Sequence, residues 1–508
     1  MRLLRTASLR QNIVANVAGS IWTAALGFLF IPIYVKYLGI EAYGLVGFYV
    51  ALQAIFGIVD LGLGATLNRE MARLSVQPDA LVQQRHLLRT LESLYWGASL
   101  LVGGVIFLLA QPFAAHWVHV RNLPQESIIH SVRLMGCILA LQFPFAFYQG
   151  GLMGLQQQTL MNSITVVAGT LRSVGAVLLL AFVSPSIVVF FGWQFTVTLL
   201  QTGCTVILLW RLLSGATERP VFQAKLLRSV RRFSAVVAAN AILGTLLTQL
   251  DKVLLSRFAS LSELGYYAVA GSVAAAPWMV ITPINAAFYP RFAQAAELRQ
   301  EDELARLYHR AAQLIAVALF PLCISLIFFS REFVIIWTGN LETASKTAII
   351  ISFLVAGSMI NGIVSPAGFL QSASGWPELT MYTNAAATIV IIPAMAFMTV
   401  RYGAKGAAAV WCLLNTFYLL FTVPLMHRRI LRSEKWRWYV HDVALPLAGV
   451  VAVVLASRLA APFTTSRPLL LLYVVATWSI AVAVCVILSS EMRREAGIWW
   501  GRVEQARR

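Results

Sequence analysis

Apolar residues run through this chain in long continuous blocks separated by short polar connections. The clearest blocks are 13–35, 97–111, 166–183, 348–363 and 469–488. A helix of about 20 apolar residues crosses the hydrocarbon of a bilayer, so each block reads as a membrane span. Their continuity excludes a transmembrane barrel, whose strands alternate polar and apolar positions. Fourteen spans are predicted. Six lie at 12–36, 41–68, 91–113, 130–152, 161–183 and 187–210. Six more lie at 234–257, 263–288, 311–330, 346–370, 379–400 and 404–427, and a final pair at 442–461 and 468–489. Pro32, Pro144, Pro277, Pro283, Pro366 and Pro393 fall in or beside these spans as hinge candidates, because proline removes a helix hydrogen bond.

Composition agrees with the pattern. The chain has 508 residues, of which 59% are hydrophobic and only 12% charged, with a mean hydropathy of +0.75. A soluble domain has about 25% charged residues, so too little polar surface is present to face water on all sides. A net charge of +18 raises the question of nucleic acid, and its placement answers it. Arginines cluster in alternate connections, as in Arg69, Arg73, Arg85 and Arg89, or Arg428, Arg429 and Arg432, whereas the intervening connections are poor in them. That asymmetry is the positive-inside pattern, and it places both termini in the cytoplasm, with an inner (plasma) membrane the expected location of the chain. No nucleic-acid partner is expected. Arg2, Arg5 and Arg10 precede an apolar run too long for a cleaved signal, which reads instead as a first span.

The connections are short and leave no room for a soluble catalytic domain. Segments 80–92 and 297–309 read as amphipathic surface helices, and the tail mixes arginine with Trp499 and Trp500 in the manner of an interfacial segment. Five isolated cysteines, none in CxxC spacing, act as small hydrophobes. His116 and His119, three apart beside Trp117, are not read as a metal pair, and no phosphate-cradling motif is present. No metal or other cofactor is expected.

The chain also matches itself at an offset of about 221 residues. Residues 37–44, Tyr-Leu-Gly-Ile-Glu-Ala-Tyr-Gly, stand opposite 258–265, Phe-Ala-Ser-Leu-Ser-Glu-Leu-Gly. Lys36 then falls on Arg257, and Arg85 and Arg89 fall on Arg306 and Arg310. The collinear matches predict two six-span repeats. Because six is even, both copies enter the membrane in one orientation, related by an axis along its normal. The expected organisation is a lobe at 1–211, a cytoplasmic linker at 212–233, a second lobe at 234–427, spans thirteen and fourteen at 428–489 and a basic tail at 490–508.

Ile31-Pro-Ile-Tyr-Val-Lys-Tyr-Leu-Gly-Ile-Glu-Ala-Tyr-Gly44, with Val59-Asp-Leu-Gly-Leu-Gly64 and Asn68-Arg-Glu-Met-Ala72, resembles the opening of bacterial polysaccharide transporters, the O-antigen flippases of the multidrug/oligosaccharidyl-lipid/polysaccharide (MOP) superfamily. Asp251–Ser256 and Leu264–Val269 resemble the start of that family's second lobe. The resemblance implies a flippase, not an enzyme, that moves undecaprenyl-diphosphate-linked oligosaccharide outward by alternating access around a cationic cavity. It also implies membrane lipids, a polysaccharide polymerase and export machinery as partners. A cation-coupled drug exporter and a membrane-embedded polymerase or ligase are the alternatives, disfavoured by the balance of intramembrane charge and by the short outer connections respectively.

Ionisable side chains inside a span cost about 2.5–3.5 kcal/mol each on insertion scales and are functional candidates for that reason. Arg172 and Lys252 are candidate substrate contacts, since guanidinium in particular matches phosphate oxygens. The alternative is that either cation pairs with Asp60 or Asp251 as a structural ion pair. Those two carboxylates are in turn candidates for a coupling ion. Polar stripes containing Asn16 in the first span and Asn240 in the seventh would line a wet cavity or bond between helices. Without a nucleotide motif, the membrane potential is a route for an anionic cargo, at about 2.3 kcal/mol per charge per 100 mV. Ion antiport is its competitor.

Overall fold

In a bilayer every backbone N–H and C=O must find its partner within the chain, which restricts this apolar sequence to helices. The computed structural model describes residues 19, 21–57, 63–75, 80–215, 218–222, 244–245, 247–376, 378–460 and 466–494. Among these residues, eleven helical runs are long and apolar enough to cross a membrane, and the strand-like geometry is an isolated bridge between His119 and Ser260. The chain divides into two compact units, Met1–Gly265 and Tyr266–Arg508.

The first unit contains α1 (Ile21–Leu38), α2 (Ile40–Phe56), α3 (Leu63–Leu74), α4 (Ala80–His116), α5 (Gln125–Gly154), α6 (Gln158–Phe182) and α7 (Ile187–Leu212). A further helix, α8, covers residues 247–258, and the unit ends in the first turns of α9 (Leu261–Ala274). The expected surface helix at 80–92 is not separate: it runs without a break into the following span. No glycine or proline stands between Ala80 and Trp96 to stop it. Leu67 and Met71 of α3, Leu88, Leu91 and Tyr95 of α4, and Phe147, Tyr148 and Leu152 of α5 form its buried core. Embedded there is Glu92, 8% exposed. It accepts a 2.5 Å hydrogen bond from the Tyr148 hydroxyl, which accepts one of 3.2 Å from Trp96 Nε1.

At one end of this unit α2 and α9 cross backbone to backbone. A Cβ on Gly44 would stand 2.2 Å from the carbonyl oxygen of Leu261, and one on Gly265 would stand 2.2 Å from that of Ile40. The contact is reciprocal under the internal match, which pairs Gly44 with Gly265 and Ile40 with Leu261. Polar contacts gather around it. The buried Glu41 carboxylate accepts the backbone N–H groups of Arg121 and Asn122 at 2.5 and 3.1 Å. Leu261 N–H donates to the His119 carbonyl at 3.0 Å, and Trp117 Nε1 donates to Ser256 Oγ at 3.0 Å.

The second unit continues α9 and adds α10 (Ala276–Glu297), α11 (Glu301–Phe328), α12 (Ser330–Thr338) and α13 (Leu341–Ala373). It then has α14 (Glu378–Phe417), prolonged to His427, followed by α15 (Leu445–Leu459) and α16 (Arg467–Leu488). Two expected spans, 379–400 and 404–427, meet inside α14 without a loop, at Gly403, whose φ of 57° breaks the helix there. Of the hinge candidates, Pro32 and Pro277 stand in the first turn after breaks at Phe30 and Ala275, where a missing N–H costs nothing. Pro144, Pro283, Pro366 and Pro393 lie inside continuous helices.

A buried polar network fastens the last two helices to α11. His309 is 1% exposed and has a carboxylate at each ring nitrogen, Asp442 at Nδ1 and Glu434 at Nε2, the latter 2.9 Å away. With both carboxylates ionised, each ring nitrogen donates to one of them. Gln313 extends the network, donating to Asp442 Oδ1 at 2.7 Å and Ser490 Oγ at 3.2 Å, and accepting the Glu491 N–H at 2.8 Å.

Two outcomes follow from these contacts. Asp442→Ala leaves His309 with Glu434 alone and deprives Gln313 of an acceptor, and should destabilise the protein by about 1–3 kcal/mol, read as a lower thermal midpoint in detergent. Gly44→Ala or Gly265→Ala should be destabilising by about 1–3 kcal/mol through overpacking, while Gly104→Ala, with nothing within 4 Å of its Cβ, should be neutral in the same assay.

Candidate substrate-binding site

Arg172 stands in the interior of α6 and is half-buried. Its position is set by close packing of α6 on α7. Gly175 leaves room for the Trp193 indole, which a Cβ would approach to 2.4 Å, and Trp193 Nε1 donates to the Leu171 carbonyl at 2.8 Å. This brings the arginine against one face of α7, where Thr198 and Gln201 are three residues apart and so neighbours on the helix surface. Arg172 Nη2 donates to Gln201 Oε1 at 2.6 Å and to Thr198 Oγ1 at 3.1 Å. Thr198 Oγ1 passes its own proton to the Gln194 carbonyl at 2.7 Å, and both partners are buried, at 1% and 6% exposure. The Tyr49 hydroxyl is within electrostatic reach of the arginine and accepts from Gln142 Nε2 at 2.7 Å.

No carboxylate among the described residues lies within ion-pair distance of Arg172. The ion pair between helices weighed for this residue is therefore not formed with Asp251, and Asp60 lies outside the described residues. Asn16 and Asn240 also lie outside them. Lys252 belongs to a different environment. Its Nζ donates to Gln249 Oε1 at 2.9 Å and to the Thr248 carbonyl at 3.3 Å, and stands 3.8 Å from Asp251 Oδ1. Lys252 is thus held by its own helix and its own neighbour, whereas Arg172 is held by neutral groups. His116 and His119 are engaged through their backbone carbonyls, by Arg257 Nη1 at 2.5 Å and by Leu261 N–H.

Four residues that matter to this arrangement escape a sequence reading. Gln201 and Thr198 look like ordinary polar positions in an apolar span. Glu41 was visible within the self-matching segment yet carries no spacing that announces a loop cap. His309 gives no local signal, because its partners Glu434 and Asp442 are more than a hundred positions away.

Residues 9–296, more than half of the chain, match the family model described as Polysaccharide biosynthesis protein. The chain belongs to that family. Residues 237–397 match the MatE model as well. Among curated relatives, the lipopolysaccharide biosynthesis protein WzxC of Escherichia coli is 24% identical over 217 residues, 42% of this chain and 43% of that one. The teichuronic acid biosynthesis protein TuaB of Bacillus subtilis is 24% identical over 330 residues, 64% of this chain and 62% of that one. The chain thus spans less than two thirds of the length of either relative. Among solved structures, the lipid II flippase MurJ in an inward closed conformation is similar with a TM-score of 0.73 at 14% identity, over 95% of this chain and 99% of that one. An inward-facing multidrug transporter of the MOP superfamily is similar with a TM-score of 0.59 at 15% identity, over 81% and 96%. At these identities the likeness is one of fold. This family member is a multi-pass, all-helical membrane protein with the MOP transporter fold.

Proposed function

We propose that this family member is a flippase of surface-polysaccharide biosynthesis, a transporter rather than an enzyme, which carries undecaprenyl-diphosphate-linked oligosaccharide from the cytoplasmic to the periplasmic leaflet. The observation that carries the reading is Arg172, a cation in the interior of a membrane helix with neutral partners and, among the described residues, no carboxylate within ion-pair distance. A purely structural arginine in such a place would be expected to pair with an acid, because an unneutralised charge is costly in a low dielectric. An anionic cargo supplies the missing partner when it passes. Fold and family membership support transport, and the names of the curated relatives support a polysaccharide pathway.

The organisation we propose follows the internal match: repeats at 1–211 and 234–427 joined by a linker at 212–233, a helix pair at 428–489 and a basic tail at 490–508, with both termini cytoplasmic. The reciprocal contacts of Gly44 and Gly265 fall at matched positions of the internal repeat, which supports the match itself. Arg172 is the first candidate contact and Lys252 the second. Asn16 and Asn240 would add polar lining, and Asp60 and Asp251 are carboxylates for a coupling ion. A polymerase and export machinery would receive the cargo. Drug export is the weaker reading, since a cationic cargo calls for carboxylates where this unit presents Arg172.

Deletion in the native host should remove a surface glycan and leave its lipid-linked repeat unit accumulating inside, measured by glycan and lipid extraction from the same cells. Wild type should restore the glycan, and Arg172→Ala at equal protein level should not. Unchanged glycan with new sensitivity to cationic dyes would instead assign drug export. Collapsing the membrane potential while keeping the proton gradient should slow flipping; an unchanged rate would assign the drive to ion antiport.

A further inference from the structure

Resting on the proposed flippase reading, we infer that Gln201 is a positioning residue that keeps Arg172 an unneutralised cation and thereby sets the first unit's preference for an anionic group. The inference starts from the chemistry of the contact. Gln201 Oε1 accepts from Arg172 Nη2 at 2.6 Å, the length of a strong charge-assisted bond, yet the acceptor is an amide. Thr198 Oγ1, the second acceptor, is also neutral. Glutamate has nearly the same size and shape as glutamine and would place a full negative charge at the same point. It would hold the guanidinium more tightly in an apolar surrounding. The amide fixes the direction of the side chain and leaves its charge in place.

Nη2 makes both protein contacts, so Nη1 and Nε have no protein partner among the described residues, and Arg172 as a whole is half-buried rather than sealed. Gln201 itself is 6% exposed, so it is out of reach of solvent and acts through the arginine. The group this arrangement takes is an oxyanion, either the diphosphate of a polyprenyl carrier or the carboxylate of an acidic sugar.

The test uses the full-length protein in lipid nanodiscs, with undecaprenyl diphosphate as probe and undecaprenol as its uncharged counterpart. Wild type should retain the diphosphate over the alcohol in native mass spectrometry. Gln201→Glu should lose that preference by about tenfold or more, the size of one lost charge-assisted bond, without a lower thermal midpoint. Gln201→Met, which removes the acceptor but adds no charge, should keep the preference at a weaker affinity. In an Arg172→Ala background Gln201→Glu should have no further effect, which a merely structural role would not produce. Pyrophosphate or glucuronate added as competitor assigns the anion to carrier or to sugar, and either result supports the inference. Full preference retained in Gln201→Glu overturns it. A wild type with no preference between the two probes, and no competition by either anion, overturns the flippase reading itself.

Discussion

Hydrocarbon gives a polar group nothing to bond to, and most of this structure is a response to that fact. Hydroxyls inside the spans turn back on their own helices. Thr165 donates to the Met161 carbonyl, Thr170 to Val166, Thr205 to Gln201 and Thr347 to Thr343, each one turn earlier. Buried carboxylates find donors as well: Glu41 takes two backbone N–H groups and Glu92 a tyrosine hydroxyl. Arg172 differs from these groups, since its hydrogen bonds restrain it without cancelling its charge. Among the described residues the site is defined less by polarity than by a cation held with its charge intact.

The same rule divides the two units. The internal match that aligns Arg89 with Arg310 also aligns Glu92 with Gln313. In the first unit the carboxylate is enclosed by Tyr148 and an apolar core. In the second, the amide at the matching place reaches Asp442 and the backbone of Glu491, which belong to the helix pair outside the repeat. Matched positions of the repeat thus serve as an internal polar anchor in one copy and as a docking point for additional helices in the other. His309, whose matching position in the first unit is Leu88, completes that docking point.

Much of the fold was legible because its signal is local. Continuous apolar blocks determine helices, and the repeat showed itself in short segments such as 37–44 and 258–265. Junctions were less legible. The continuity of α4 through residues 80–92 depends on the absence of a breaker, and the kink at Gly403 depends on one backbone conformation rather than on any of the six prolines singled out. Arg172 was identifiable as a charge out of place. What holds it was not, because Thr198 and Gln201 become its neighbours only when α6 packs on α7, and no property of their own segment distinguishes them from Gln194 or Thr202.

The crossing of α2 and α9 is made by carbonyl oxygens and by the space where two side chains are missing, so it uses atoms that every residue possesses. Flanking positions Ile40 and Leu261 present their carbonyl oxygens 2.2 Å and their side chains 3.1 Å from where a Cβ would stand, and the two side chains are isomers of one another. A joint of that kind decouples mechanics from chemistry. The crossing places its demand on two positions, Gly44 and Gly265, which must never acquire a methyl group, and leaves the chemistry of a binding site to other residues.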